Sequence, residues 1–147
     1  MALSGDGNTV LIGGPQDDGN AGAAWIFTRS SGTWTERKKL GRAVINDIVG
    51  SAGFGNAVAL STDGTTALIG GHQDGAAADG AAWVFSGSGA NWNEQQKLTG
   101  AGLVGPFSAD FGFSVSLSAD GNTAAVGADQ DSGNTGSAFL FTRSGVT

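Results

Sequence analysis

The sequence predicts an all-β fold made of four-stranded antiparallel sheets, about two and a half of them, with a repeat of about 57 residues. Three observations carry that prediction. The segment ALSGDGNTVLIGG (Ala2 to Gly14) returns as ALSTDGTTALIGG (Ala59 to Gly71) and as SLSADGNTAAVGA (Ser116 to Ala128), with Leu3, Leu60 and Leu117 at equal spacing. Apolar residues fall at alternate positions or in short unbroken runs, and nowhere at helical spacing over three turns. Glycine occurs 27 times and proline twice beside a normal apolar share, a composition of tight turns and closely approaching sheets and not of a disordered chain.

Each repeat yields its strands in order. The opening segment is two strands around a tight turn, whose chemistry is clearest in Ser61-Thr62-Asp63-Gly64. Ser and Asp bond back to local amides, and Gly takes the left-handed position that closes the turn. Asp6-Gly7 and Asp120-Gly121 repeat it. Before the turn Val58 and Leu60 alternate with small residues; after it TALIGG is apolar at successive positions, so that strand must be covered on both faces. The third strand is GAAWIFTRS (Gly22 to Ser30), GAAWVFSGS (Gly80 to Ser88) and GSAFLFTRS (Gly136 to Ser144). The fourth, TWTERKKL (Thr33 to Leu40) and NWNEQQKL (Asn91 to Leu98), alternates with polar residues and reads as an outer, half-wet strand. Four strands, buried on both faces at one end and wet at the other, describe the blade of a β-propeller, which hides its faces between two neighbours. Glycine and alanine crowd the inner strands where the wedge is narrow. A β-solenoid is the competing repeat fold, with coils usually shorter than this period.

The expected organisation is a blade and connection over residues 1–53 with its first strand largely missing, a second blade and connection over 54–110, and a third over 111–147 without its fourth strand. Propellers close with about four to eight blades. The expectation is therefore a piece of a larger propeller, or a chain that closes by self-association.

The stretch FGNAVALSTDGTTALIGGHQDGAAADGAAWVF (Phe54 to Phe85) resembles the FG-GAP repeat of integrin-α-like propellers. Phe54-Gly55 stands for the FG, Gly70-Gly71-His72 or Gly13-Gly14-Pro15 for the GAP, and Ala82-Trp83-Val84-Phe85 for the strand that follows. The resemblance implies a non-enzymatic binding or adhesion module, extracellular or at the cell surface, with a protein or glycan ligand on the face that carries the loops after strands two and four. It departs from the family at one point. Many members hold calcium in an Asp-rich loop between the first two strands, whereas here that loop is Ser-x-Asp-Gly with one carboxylate. Calcium takes six to eight oxygen ligands, so no metal is expected at Asp6, Asp63 or Asp120.

The acidic residues gather instead in the loop after the second strand, and they are the candidate ligand-binding residues. These are Asp17, Asp18 and Asn20 in the first repeat, Asp74 and Asp79 in the second, and Asp129, Asp131 and Asn134 in the third. The same residue types also make turns and keep a rim soluble. Trp25, Trp83 and Phe139 share one repeat position and read as packing between blades; Trp34 and Trp92, between polar neighbours on the outer strand, are more open to a binding role.

Other chemistry finds little support. Lys and Arg total 7 against 13 Asp and Glu, a net charge of -6, and the one basic cluster (Arg37, Lys38, Lys39, Arg42) reads as a solvated strand end, so nucleic acid is not an expected partner. Without cysteine there is no disulfide or thiolate site. His72, the only histidine, sits where the other repeats place Pro15 and Asp129 and reads as a loop residue. GAGLVG (Gly100 to Gly105) matches a phosphate-loop pattern but lies in a β-connection with no helix after it. No nucleophile, paired acid or cofactor motif recurs, so neither a catalytic site nor a cofactor is expected. Met1 leads straight into the repeat without a signal-peptide pattern, and no apolar run approaches the roughly 20 residues that cross a bilayer, so no membrane insertion is expected.

Overall fold

Each sequence repeat folds into its own antiparallel sheet, as the computed structural model, which describes residues 1–103 and 109–144, lays out. Blade 1 comprises β1 (Ala2–Leu3), β2 (Thr9–Gly14), β3 (Ala23–Ser30) and β4 (Thr33–Gly41). Blade 2 comprises β5 (Ala57–Leu60), β6 (Thr66–Gly71), β7 (Ala81–Ser88) and β8 (Asn91–Leu98). Blade 3 comprises β9 (Phe111–Leu117), β10 (Thr123–Ala128) and β11 (Ser137–Thr142) among the described residues. Within each sheet the strands lie in chain order, the meander of a propeller blade. The helical content among the described residues is two short turns, α1 (Asp17–Asn20) and α2 (Asp131–Asn134), in the loops after β2 and β10.

Two apolar interfaces join the sheets. Leu11, Ala24, Ile26 and Leu40 of blade 1 meet Ile69, Trp83, Phe85 and Trp92 of blade 2. On the other side of blade 2, Leu68, Ala82 and Leu98 meet Phe111, Val126 and Ala128 of blade 3. β6 is buried at all six positions because it has a neighbour on each face. The phenylalanine that opens a repeat is the wedge: Phe54 stands edge-on to Trp83 at 5.1 Å, and Phe111 edge-on to Phe139 at 5.2 Å. The glycine after it makes this packing possible. Gly55 lies at φ +95 against Gly13 and Ala23, so that a Cβ on Gly55 or Gly13 would overlap backbone; Gly112 at φ +92 repeats the fit against Gly70 and Ala81. The FG and GG dipeptides thus face each other across the blade boundary.

The outer strands carry a β-bulge at the same place in both blades, between Ile26 and Phe27 and between Val84 and Phe85. The extra residue re-phases β8: Lys97 pairs with Trp83 and Trp92 with Gly87, so both side chains point toward blade 1 although they lie an odd number of positions apart. This corrects the expectation for Trp92. It is 4% exposed and fills the boundary between blades 1 and 2, because the bulge turns it inward. Trp34, its counterpart on blade 1, is 41% exposed, with the Arg29 guanidinium 5.5 Å from its ring.

Candidate ligand-binding rim

The loops after the second strands and the connections after the fourth strands gather on one face. Beneath them, blade 2 builds a polar cluster from one residue of each outer element. Asp74 follows β6, Trp83 lies on β7 and Lys97 on β8. Register places Lys97 directly opposite Trp83, and its ammonium stands 4.9 Å from the indole centroid. From there it reaches the Asp74 carboxylate at 2.6 Å. The connection between blades 1 and 2 then closes the cluster. The Asp47 carboxylate accepts from Trp83 Nε1 at 2.8 Å, and the Asp47 carbonyl accepts from Lys97 Nζ at 2.6 Å. The Val49 amide donates to Asp74 Oδ1 at 2.7 Å. Ile45 and Ile48 anchor this connection in the core on either side of Asp47.

Blade 1 carries the same cluster in the same geometry. Lys39 pairs with Trp25, its ammonium lies 5.1 Å from the ring centroid, and it meets Asp17 at 2.6 Å. The indoles are placed alike: a Cβ on Gly14 would come 2.7 Å from the Trp25 ring, and one on Gly71 would come 2.9 Å from that of Trp83. The difference is cover. Lys39 and Asp17 side chains are 47% and 30% exposed, against 22% and 4% for Lys97 and Asp74. Trp25 makes no hydrogen bond to the described residues, and a cavity of about 530 Å³ opens beside Asp17, Lys39 and Arg42. Blade 3 varies the pattern: Phe139 replaces the tryptophan, and buried Asp131 accepts from the Ser137 hydroxyl.

The remaining candidates lie around these clusters. Asp18 and Asn20 are exposed on α1, where Asp18, Gly19 and Asn20 run left-handed at φ 48, 64 and 71. Ser132, Gly133 and Asn134 repeat the left-handed turn on α2 at φ 55, 71 and 70, leaving Asn134 exposed with Asp129 just ahead of it. Asp, Asn and Gly tolerate this region better than other residues, which accounts for the local sequence. Asp79 is exposed, one residue before Gly80, and its carbonyl accepts from the Phe111 amide at 2.9 Å. The carboxylates therefore do not converge on one centre: Asp17, Asp74 and Asp131 each belong to their own blade. Among the described residues no three His, Cys, Asp or Glu side chains gather as a metal-binding group. Of the GAGLVG motif, Val104 and Gly105 lie outside the described residues.

The turn aspartates sit elsewhere, between the first two strands. Ser4 Oγ donates to Asp6 Oδ1 at 2.6 Å, which also accepts from the Asn8 amide at 2.9 Å, while Ser4 Oγ accepts from the Thr9 amide. Ser61 with Asp63 and Ser118 with Asp120 repeat the arrangement. The serine hydroxyl first, and the amide two residues on second, hold all three carboxyls below the ordinary aspartate value. Glu94 moves the other way, raised by burial and then by the neighbouring Asp47 carboxylate.

The lysine and tryptophan of these clusters carry a signal that the acidic residues alone do not. Asp17, Asp74 and Asp131 keep the repeat period, as the leucines do. Trp25 to Trp83 and Lys39 to Lys97 both overshoot it by a single position. The shared offset marks tryptophan and lysine as lying together beyond a longer second loop.

Residues 92–141 match the family model of the FG-GAP repeat, a span that runs from the outer strand of blade 2 to β11 of blade 3. No curated protein matches the chain.

Proposed function

We propose that this chain of FG-GAP repeats serves as a non-enzymatic binding or adhesion module outside the cell, engaging a protein or glycan ligand through its loop-bearing rim. The repeat supports the coarser part of that reading, a propeller-type binding module. One observation carries the finer part: blade 1 presents to solvent the Trp25, Lys39 and Asp17 set that blade 2 uses internally to hold a protein segment. A donor and a cation on adjacent strands, with an acceptor on the loop before them, form a prearranged polar surface at low entropic cost. Glycan and protein arrays probed with the chain test the reading. Asp17→Asn and Lys39→Gln should weaken binding to any ligand found while leaving the melting temperature nearly unchanged. Loss of binding that tracks loss of fold would sink it.

A second reading, structural blades with no ligand of their own, draws support from Asp74 and Asp131, whose carboxylates are buried in internal hydrogen bonds and ion pairs. It brings self-association with it. Leu3 and Trp34 on blade 1 and Leu140 on blade 3, which is 75% exposed, leave apolar sheet faces open among the described residues. Light scattering at micromolar concentration separates the two: a folded, monodisperse monomer with a rim ligand supports the first reading and removes the second.

A further inference from the structure

We propose that the Trp25, Lys39 and Asp17 set of blade 1 binds an extended acidic protein segment in which an aspartate is followed by two aliphatic residues. The inference rests on reading the rim as the ligand face, and it names the ligand class for that face.

The reason lies within the molecule. Blade 2 shows the same three side chains already occupied, by the segment Asp47-Ile48-Val49 of the chain itself. Each group of that segment answers one group of the cluster. Its carboxylate takes the indole N–H, its aspartyl carbonyl takes the lysine ammonium, and the amide two residues later gives its proton to the cluster's own aspartate. Three contacts in fixed order specify an acidic residue and a chain direction. A lone carboxylate meets only the first of them.

Blade 1 keeps every group that makes these contacts. The lysine–aspartate distance is 2.6 Å in both blades, and the ammonium-to-indole distances nearly coincide, at 5.1 and 4.9 Å. The blade 1 pair is the more exposed of the two, with the Lys39 and Asp17 side chains at 47% and 30% against 22% and 4% for Lys97 and Asp74. The cavity of about 530 Å³ beside Asp17 and Lys39 gives an incoming chain room to approach. Of the opposing charges at hand, Asp18 lines the cavity and Glu36 lies on β4. Glu36 occupies the position of Glu94, which pairs with Phe85 as Glu36 pairs with Phe27 and which faces Asp47 in blade 2. An aspartate is therefore held there in spite of a neighbouring glutamate.

The test uses the full chain and a capped, fluorescent peptide of sequence INDIVG, the chain's own residues 45–50. Saturable binding is expected by fluorescence polarisation. Replacing the peptide's aspartate with asparagine should weaken it about tenfold to a hundredfold, the loss of a charge-assisted hydrogen bond. Trp25→Phe keeps an aromatic ring, as blade 3 does with Phe139, and removes only the N–H; Lys39→Gln removes the cation. Each should weaken binding by a similar factor in a chain whose melting curve is unchanged, and Glu36→Gln should tighten it. Absence of binding, equal affinity for the asparagine peptide, or binding that survives both Trp25→Phe and Lys39→Gln overturns the proposal. A different array ligand lost in Asp17→Asn would leave the rim reading standing while this peptide specificity fell.

Discussion

Trp25 and Trp83 offer a controlled comparison, because one substitution at equivalent positions should have unequal consequences. Trp83 is fully buried, lies edge-on to Phe54 at 5.1 Å and donates from Nε1 to Asp47 at 2.8 Å. Trp83→Ala should cost about 3–5 kcal/mol, as expected for emptying a buried aromatic site. Trp83→Phe keeps most of the ring but removes the N–H that the half-buried Asp47 carboxylate accepts, a charge-assisted hydrogen bond of about 1–3 kcal/mol. Trp25 is half-buried and its indole N–H makes no hydrogen bond to the described residues, so Trp25→Phe should stay within about 0.5 kcal/mol of the parent chain. Denaturant unfolding followed by far-UV circular dichroism reads all three variants without depending on tryptophan fluorescence. An unchanged slope with a shifted midpoint identifies a change in stability. Equal losses for Trp25→Phe and Trp83→Phe would refute the claim that the two clusters differ in cover. A negligible loss for Trp83→Phe would refute the role given to Asp47.

Three further outcomes follow from the same geometry. Gly55→Ala places a Cβ onto the Ala23 carbonyl at φ +95 and should destabilise the chain by several kcal/mol, whereas Gly19→Ala, left-handed but with nothing within 4 Å, should cost about 1–2 kcal/mol; thermal melts of the pair check this. Because Asp6, Asp63 and Asp120 are held below the ordinary aspartate value, their stabilising contribution is present above that value and is lost as pH falls through the lowered folded values. A triple Asp→Asn chain should show a flatter acid limb in melting temperature against pH. Glu94 has the opposite sign: its raised folded value means that stability declines as pH rises from the ordinary glutamate value to the raised one. Glu94→Gln should therefore stabilise the chain above that window and have little effect below it, and a gain only at low pH would contradict the assignment.

The fold is legible in the sequence because its causes are local and repeated. The Ser-x-Asp-Gly turn satisfies itself within a few residues, so its chemistry can be read wherever it recurs. The unbroken apolar run TALIGG predicts a strand with neighbours on both faces, and β6 is that strand. Trp92 departs from its expected place for a definite reason. Alternation along NWNEQQKL gives side-chain direction only while the period stays at two, and the bulge opposite Val84 and Phe85 shifts it by one position. Nothing in the strand's own composition marks that point.

The rim resists sequence reading for a different reason, since what distinguishes its clusters is what covers them. Asp17 and Asp74 occupy the same repeat position, follow the same Gly-Gly-x-Gln pattern and meet a lysine at the same distance. By residue type they are indistinguishable. Asp74 is buried under a connection whose Ile45, Asp47 and Ile48 come from before β5, two strands earlier in the chain; Asp17 is open. A repeated motif therefore fixes the donors and acceptors of each cluster, while its environment depends on which segment crosses over it. This also separates two uses of one chemistry. Under cover, the carboxylate, ammonium and indole lock a connection onto its blade, because leaving any of them unpaired in a buried site would be costly. In the open the same groups are hydrated, and an incoming segment must displace that water, so affinity rests on meeting all three in the right order. The blade 2 cluster is structural by this argument, and the proposed recognition falls to the more exposed blade 1 cluster.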